Sequence, residues 1–254
     1  MPIVPDDKNW TWVLERVCPE CGFDAAHFDP SGVRAAIEAN AARWRVLLAD
    51  PLAAQRPDDN TWSALEYGCH VRDVYRLYLF RLELMLQQEG PQFPNWNQDE
   101  TAIREQYGRQ NPTDVAGELA AAAGMLAARY ATVDGVRWQR TGFRSDGAAF
   151  TIDSFTRYLI HDPVHHVHDA EQGYARLREA SPAVDDAGDG DDVAATSPAT
   201  ATAPAAAAQD VTTATPAASA VAPPTQPPPP VQPAPPAPTG PSSWAPPAGP
   251  PAGD

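Results

Sequence analysis

The 254-residue sequence is poor in lysine and cysteine and has no long apolar run. Lys8 is its only lysine, and it contains three cysteines. No apolar run approaches the roughly 18 residues that predict a transmembrane helix, and no secretory signal pattern opens the chain. The net charge of −15 argues against a nucleic-acid backbone or an anionic membrane as partner. We therefore expect a cytoplasmic protein that acts on a small molecule.

The end of the chain lacks lysine, arginine and glutamate altogether. Residues 181–254 are mainly proline, alanine and threonine, with scattered aspartates. This composition lacks the large apolar side chains that would offset the entropy of ordering, so it predicts a disordered Pro/Ala/Thr-rich acidic tail. Two roles stay open for this tail: it keeps the protein in solution, or it binds a proline-recognising partner.

The first 30 residues are predicted to form an irregular segment. It contains the pair Cys18-Pro-Glu-Cys21. A structural zinc site needs four ligands, usually two such pairs, and a redox pair usually opens a helix in a βαβ unit, of which there is no sign. We interpret Cys18 and Cys21 as reduced thiols in a loop. A metal knuckle completed by other residues is the alternative.

Residues 31–180 predict an all-α four-helix bundle with a small β-hairpin. Ser63 and Glu66 form a capping-box pattern, and Asp146-Gly147 has the composition of a hairpin turn. Four long segments have helical apolar periodicity: from Ser31 to Asp50, from about Trp62 to Gln88, from Asn111 onwards, and from Thr151 to about Glu179.

The fourth predicted helix carries four of the six histidines within eight residues. His161, His165 and His168 fall at i, i+4 and i+7, in one stripe roughly 60° wide, whereas His166 lies on another face. Imidazoles at i and i+4 can reach one divalent metal. This density of histidine favours a metal site over a solvated polar face.

Pro163 interrupts this stretch, and a smooth helix through it costs about 3 kcal/mol. The helix either continues with a kink, or Asp162 caps a new helix that begins at Pro163. In the second case His161 lies just outside the helix. His165 and His168 are helical in both cases.

His70 lies on the face of the second helix that also carries Leu77 and Leu84. A lone histidine on an apolar face is more often a hydrogen-bonded core residue than a ligand. The histidine cluster on the fourth helix favours a ligand role for His70, because a third nitrogen from another helix would complete a metal site with three protein ligands.

Two phrases resemble the DinB/YfiT-like superfamily. One reads Trp62-Ser-Ala-Leu-Glu-Tyr-Gly-Cys-His70-Val-Arg-Asp73, and the other includes Arg157-Tyr-Leu-Ile-His161-Asp and His165-His166. The resemblance covers roughly residues 30–178. It implies an up-down-down-up four-helix bundle that holds zinc or nickel through three histidines, by position His70, His161 and His165.

The resemblance also implies roles for neighbouring residues. Asp73 would orient a ligand imidazole. His168 would lie beside the ligands, or replace His161 if Pro163 displaces it. Better known relatives are metal-dependent thiol-S-transferases or isomerases that use bacillithiol or mycothiol.

Three neutral nitrogens leave an open coordination position, as in catalytic zinc. A metal there would deprotonate a bound thiol, or lower the pKa of a bound water to about 7. Our first hypothesis is metal-dependent transfer of a mycothiol-type thiol to a small electrophile, with Arg81, Arg140 and Arg157 as carboxylate clamps. The alternatives are a metal-dependent hydrolase and a non-catalytic metal-binding or interaction module. A homodimer is compatible with either.

Overall fold

The computed structural model describes residues 10–180. The predicted tail at residues 181–254, with its proposed partner, lies outside the described residues, as do residues 1–9. Within residues 10–180, no helix is both long enough and apolar enough to span a membrane.

The described chain contains five α-helices and three short strands. The helices are α1 (Val33–Leu48), α2 (Ala64–Gln87), α3 (Gln98–Arg104), α4 (Pro112–Tyr130) and α5 (Ile152–Ala180). The strands are β1 (Gln92–Phe93), β2 (Thr141–Arg144) and β3 (Ala149–Thr151). Short 3₁₀ turns occupy Trp10–Leu14, Pro30–Gly32, Tyr107–Arg109 and Gly135–Gln139.

The four long helices form a bundle, and their contacts give the direction of each helix. On α1 and α5, Asn40 contacts Pro163 and Leu47 contacts Tyr174, so the two helices run parallel. Helices α2 and α4 also run parallel, because the ion pair between Arg72 and Glu118 is followed by the pair between Glu83 and Arg129.

Helices α2 and α5 run in opposite directions. His70 on α2 lies beside Asp162, whereas Tyr78, further along α2, stacks on Phe155, nearer the start of α5. With α1 taken as up, α2 and α4 run down and α5 runs up. The predicted up-down-down-up four-helix bundle is therefore confirmed.

The helix starts follow the sequence signals. The Ser63 hydroxyl accepts from the Glu66 N–H, and the Glu66 carboxylate accepts from the Ser63 N–H, which completes the predicted capping box. The Asn111 side chain caps α4 by accepting from the Thr113 N–H, and the Thr151 hydroxyl accepts from the Ser154 N–H at the start of α5.

The predicted hairpin is present, but it belongs to a three-stranded sheet. Strands β2 and β3 are antiparallel, and β1 adds to β2 in parallel. Gly142 permits this packing, because a Cβ there would lie 2.8 Å from the Met85 side chain and 2.9 Å from that of Phe93. Strand β1 could not be predicted from the sequence, because it has only two residues and these show no periodicity.

Helix α5 continues through Pro163 from Ile152 to Ala180. The alternative of a new helix that begins at Pro163 is therefore not what forms. Proline removes the intrahelical hydrogen bond to the Leu159 carbonyl. Asn40 braces the same turn, because its side-chain amide donates to the Pro163 carbonyl at 2.8 Å and its oxygen accepts from the Tyr75 hydroxyl at 2.8 Å. This buried link joins α1, α2 and α5 around the proline.

We expect Asn40→Ala to lower the free energy of unfolding by about 2–4 kcal/mol, because it removes two hydrogen bonds and leaves the buried Tyr75 hydroxyl without a partner. Tyr75→Phe alone should cost about 1 kcal/mol. Urea unfolding of the two single variants and the double variant measures the coupling. If the losses of unfolding free energy in the two single variants add up to the loss in the double variant, Asn40 and Tyr75 do not act as a coupled pair.

The Glu66 carboxylate should make stability depend on pH. Burial raises the pKa of Glu66, but hydrogen bonds from Arg56 and Ser63 outweigh burial and leave the pKa below its ordinary value of 4.5. A lowered pKa stabilises the fold above about pH 4.5, and this stabilisation is lost as the pH falls through the folded-state value. At pH 7, Glu66→Gln should cost about 1–3 kcal/mol.

Urea unfolding of wild type and Glu66→Gln at pH 7 and near pH 3 tests this pH dependence. The difference between the two proteins should shrink at the acid pH, because the stabilisation that comes from the lowered pKa of Glu66 is lost as the pH falls. An equal difference at both pH values would show that the charge of Glu66 is not what stabilises the helix start.

Candidate metal centre

Helix α5 presents two pairs of potential metal ligands, each with i, i+4 spacing. One pair is Asp162 and His166, and the other is His161 and His165. The second pair is offset from the first by one residue, or about 100° around the helix. Each pair meets ligands from a different part of the chain, so the described residues contain two candidate metal groups.

The first group, which we call the triad, consists of His70, Asp162 and His166. Its ligand atoms lie within 4.8 Å of one another. The His70 Nε2 atom is 3.4 Å from Asp162 Oδ1, and the His166 Nε2 atom is 3.8 Å from the same oxygen. These separations suit ligands that share one ion, since nitrogen and oxygen ligands of zinc each lie about 2.0–2.2 Å from the metal.

His70 is fully buried in α2 among aromatic rings. It stacks on Trp96 at a centroid distance of 5.2 Å, and His166 meets it edge-on at 4.7 Å. Within residues 10–180, neither ring nitrogen of His70 has a hydrogen-bond partner, and neither does Asp162 Oδ1. Buried polar atoms normally have partners, so His70 and Asp162 here offer donor atoms that suit a bound cation.

A second carboxylate holds His166 in place. The Nδ1 atom of His166 lies 2.9 Å from Asp169 Oδ2, and the ring stacks on Tyr67. A carboxylate on one imidazole nitrogen is the usual support for an imidazole that binds metal through the other. Asp169 therefore leaves the Nε2 atom of His166 directed towards Asp162.

Asp162 supplies a negative charge to the triad near neutral pH. Burial raises the pKa of Asp162, but the neighbouring His70 and His166 outweigh burial and hold it at about 2. The Asp162 carboxylate is thus ionised, the form that binds a cation.

The second group, which we call the Cys/His cluster, consists of Cys18, Cys21, His161 and His165. The Cys18 sulfur lies 3.5 Å from Nδ1 of His165. Burial and the nearby His165 lower the pKa of His161 to about 4, so its imidazole is neutral at neutral pH. Both cysteines are free thiols.

A cavity of about 270 Å³ adjoins both groups. Its lining combines aromatic side chains with carboxylates and with residues of both groups. The lining residues are Trp10, Glu20, Trp62, Tyr67, Gln98, Asp99, Tyr158, His161, Asp162, His165, His166 and Asp169.

The three ligands predicted from the sequence are divided between the two groups. His70 lies in the triad, whereas His161 and His165 lie in the Cys/His cluster. His168 lies beside His165, with ring centroids 6.4 Å apart. One shared ligand set of His70, His161 and His165 stays a prediction.

Asp73 was predicted to orient a ligand imidazole, and the structure places it in a different network. Its carboxylate accepts hydrogen bonds from Arg72, Arg76 and the Tyr107 hydroxyl. Burial raises the pKa of Asp73, but these donors outweigh burial and lower it. In the described residues, Asp73 joins α2 to the turn at Tyr107 rather than to a histidine.

The three arginines predicted as carboxylate clamps donate to backbone carbonyls. Arg81 donates to Pro94, Arg140 to Met85 and Gln88, and Arg157 to Ala25 and Ala26. None of the three is among the described residues that line the cavity. Their role in substrate binding stays a prediction.

Sequence reasoning did not identify Asp162 and His166 as a ligand pair. The signal was present, because their i, i+4 spacing equals that of His161 and His165. A pattern made of histidines alone does not include a pair whose first member is an aspartate, as in Asp162 and His166. The pairing of α5 with α2 decides which pair meets His70.

Comparison with known proteins gives a family and a fold. The sequence model of the DinB superfamily matches residues 33–170, more than half of the chain. No protein of curated function matches. A solved structure described as "YfiT from Bacillus subtilis is a probable metal-dependent hydrolase with an unusual four-helix bundle topology" is similar in fold, with a TM-score of 0.55 and 15% identity. The match covers 70% of this chain and 96% of YfiT. The chain therefore belongs to the DinB superfamily.

Proposed function

We propose that this protein is a metal-dependent hydrolase that acts on a small, uncharged substrate at the triad. The observation that carries the proposal is the convergence of His70, Asp162 and His166 beside a cavity. Two histidines and one carboxylate are a ligand set of catalytic zinc, in which the fourth position stays open for water or substrate. The description of YfiT as a probable metal-dependent hydrolase agrees with this assignment.

The residues of the triad fit a divalent ion. His70 offers ring nitrogens that have no hydrogen-bond partner among residues 10–180, and Asp162 offers an oxygen in the same condition. A bound cation would contact one nitrogen of His70 and the oxygen of Asp162. It would also neutralise the Asp162 carboxylate. The mixed nitrogen and oxygen donors suit zinc or nickel, and the two ions are not distinguished by donor type.

A bound metal ion would supply a positive charge that lowers the pKa of water and polarises a carbonyl group. The chain supplies the other parts of the reaction. Asp169 holds the imidazole of His166, and the stacked Trp96 and edge-on His166 hold His70. The carboxylates of Glu20 and Asp99 line the cavity and are candidate proton acceptors.

In this reaction a water oxygen bonds to the acyl carbon, and the bond from that carbon to its ester or amide heteroatom breaks. The proton of the water passes to a carboxylate of the cavity and then to the departing oxygen or nitrogen. No oxidant or reductant is needed.

The lining of the cavity restricts the substrate. Its described residues include four carboxylates, those of Glu20, Asp99, Asp162 and Asp169, and no lysine or arginine. Even with Asp162 neutralised by a bound cation, the carboxylates of Glu20, Asp99 and Asp169 would disfavour an anionic substrate, because like charges at short range repel. The aromatic walls and the cavity volume of about 270 Å³ favour a small neutral molecule.

Thiol transfer is the second candidate function. The lining combines the aromatic side chains of Trp10, Trp62, Tyr67 and Tyr158 with hydrogen-bond acceptors. Such walls suit a neutral, hydroxyl-rich thiol of the mycothiol type. The sulfur would bond to a carbon of the electrophile, the bond from that carbon to its leaving heteroatom would break, and the thiol proton would pass through a cavity carboxylate to the departing atom. This is the activity of better known relatives implied by the sequence resemblance.

The test is hydrolysis of a panel of neutral chromogenic esters and anilides by the full chain loaded with zinc. We expect His166→Ala and Asp162→Ala to reduce the rate by at least about 100-fold, because each removes a ligand. Asp169→Asn should weaken metal affinity about 10–100-fold, because it removes the support of His166. His27→Ala is the matched control, since His27 is 86% exposed and pairs with Asp24.

A parallel assay supplies mycothiol with an electrophilic dye and follows thiol consumption. Activity in this assay alone, lost in the same variants, would replace hydrolysis by thiol transfer. Hydrolysis that is unchanged in His166→Ala and Asp162→Ala would contradict the assignment of the triad.

A further inference from the structure

The Cys/His cluster places four potential ligands from two distant parts of the sequence together. Cys18 and Cys21 come from the N-terminal segment, and His161 and His165 come from α5. All four ligand atoms lie within 4.8 Å of one another. The CxxC pair therefore has the two further ligands that the sequence alone did not identify.

The backbone around the cysteines forms a tight reversal. The Gly22 N–H donates to the Cys18 carbonyl at 2.9 Å, and the Cys18 N–H donates to the Phe23 carbonyl at 3.0 Å. Gly22 has a φ of +73°, in the left-handed region that favours glycine. This turn brings the two sulfurs together without a disulfide bond.

The distance from Cys18 to His165 agrees with a tetrahedral ion. With zinc–sulfur bonds of about 2.3 Å and zinc–nitrogen bonds of about 2.0 Å, a sulfur and a nitrogen ligand lie about 3.5 Å apart. The distance between the Cys18 sulfur and His165 Nδ1 is 3.5 Å. At this separation the pair forms at most a weak hydrogen bond.

The surroundings of the two imidazoles also indicate a ligand. The Nε2 atom of His161 is buried and has no hydrogen-bond partner among residues 10–180. His165 has its Nδ1 atom towards Cys18 and its Nε2 atom 3.3 Å from Glu20 and 3.6 Å from Asp169. Carboxylates on the far nitrogen commonly support a metal-binding histidine.

A redox role for the cysteines suits this setting less well. Reactive pairs usually lie at a helix N-terminus and keep one accessible thiol. Here Cys18 is buried and Cys21 is half-buried, but no helix begins at the pair, since the next α-helix starts only at Val33.

We propose that Cys18, Cys21, His161 and His165 bind one zinc ion in a closed, structural Cys₂His₂ site. All four positions are filled by the protein, so this ion takes no substrate. It fastens the segment that carries Trp10 and Glu20 to α5. Since both residues line the cavity, the zinc site holds one wall of the catalytic pocket in place.

The site does not depend on the proposed hydrolase activity, and the two can fail separately. His70→Ala removes a triad ligand and leaves the Cys/His cluster intact. Cys21→Ala does the reverse. Metal analysis of these two variants therefore separates the structural ion from the catalytic one.

The experiment replaces zinc by Co²⁺ in the full chain and records the visible and near-ultraviolet absorption spectrum. We expect intense tetrahedral bands and a thiolate-to-cobalt charge-transfer band from about one ion per chain. The charge-transfer band should persist in His70→Ala and in the matched control Cys69→Ala, whose thiol lies on α2. It should be lost or strongly reduced in Cys18→Ala, Cys21→Ala and His161→Ala.

The wild-type spectrum is decisive even if a variant fails to fold. A cobalt-loaded wild type without the charge-transfer band would overturn the proposal. So would a band that persists in both cysteine variants, or zinc content that is the same in Cys21→Ala as in wild type.

Discussion

The continuity of helix α5 through Pro163 is the constraint on which both candidate metal groups depend. An i, i+4 pair shares a face only if the helix runs unbroken between its members. Pro163 lies inside both pairs, between His161 and His165 and between Asp162 and His166. A break there would remove one ligand from each group. The link from Asn40 to the Pro163 carbonyl, with Tyr75 behind it, braces this turn.

The same helix can serve two chemistries because its two pairs are offset by about 100°. The pair Asp162 and His166 faces His70 on α2, and the pair His161 and His165 faces the cysteines of the N-terminal segment. The proposed ligand sets differ accordingly. In the Cys/His cluster, two sulfurs and two nitrogens would fill all four coordination positions of the ion. In the triad, two nitrogens and one oxygen would leave one position open beside the cavity.

Much of this arrangement could be predicted from the sequence. The capping box at Ser63, the cap at Asn111 and the Asp146-Gly147 turn are local signals, and the helix and hairpin boundaries follow from them. The two phrases around His70 and His161 resemble the DinB/YfiT-like superfamily, and that resemblance implies the bundle and a metal. Caps, turns and apolar periodicity involve residues close together in the sequence, so they can be read without knowledge of tertiary contacts.

The ligand sets could not be predicted in the same way. Which histidine meets His70 depends on the rotation of α5 against α2, and a shift of one residue exchanges His165 for His166. The partners of Cys18 and Cys21 lie at least 140 residues away in the chain. Strand β1 was missed for a similar reason, because two residues gain strand structure only by pairing with β2.

The most direct test of the account is anomalous diffraction at the zinc absorption edge from crystals of the zinc-loaded full chain. The account predicts two anomalous peaks on neighbouring faces of α5. One should be bonded to Cys18, Cys21, His161 and His165, and the other to His70, Asp162 and His166. A single peak bonded to His70, His161 and His165, with no metal at the cysteines, would contradict it.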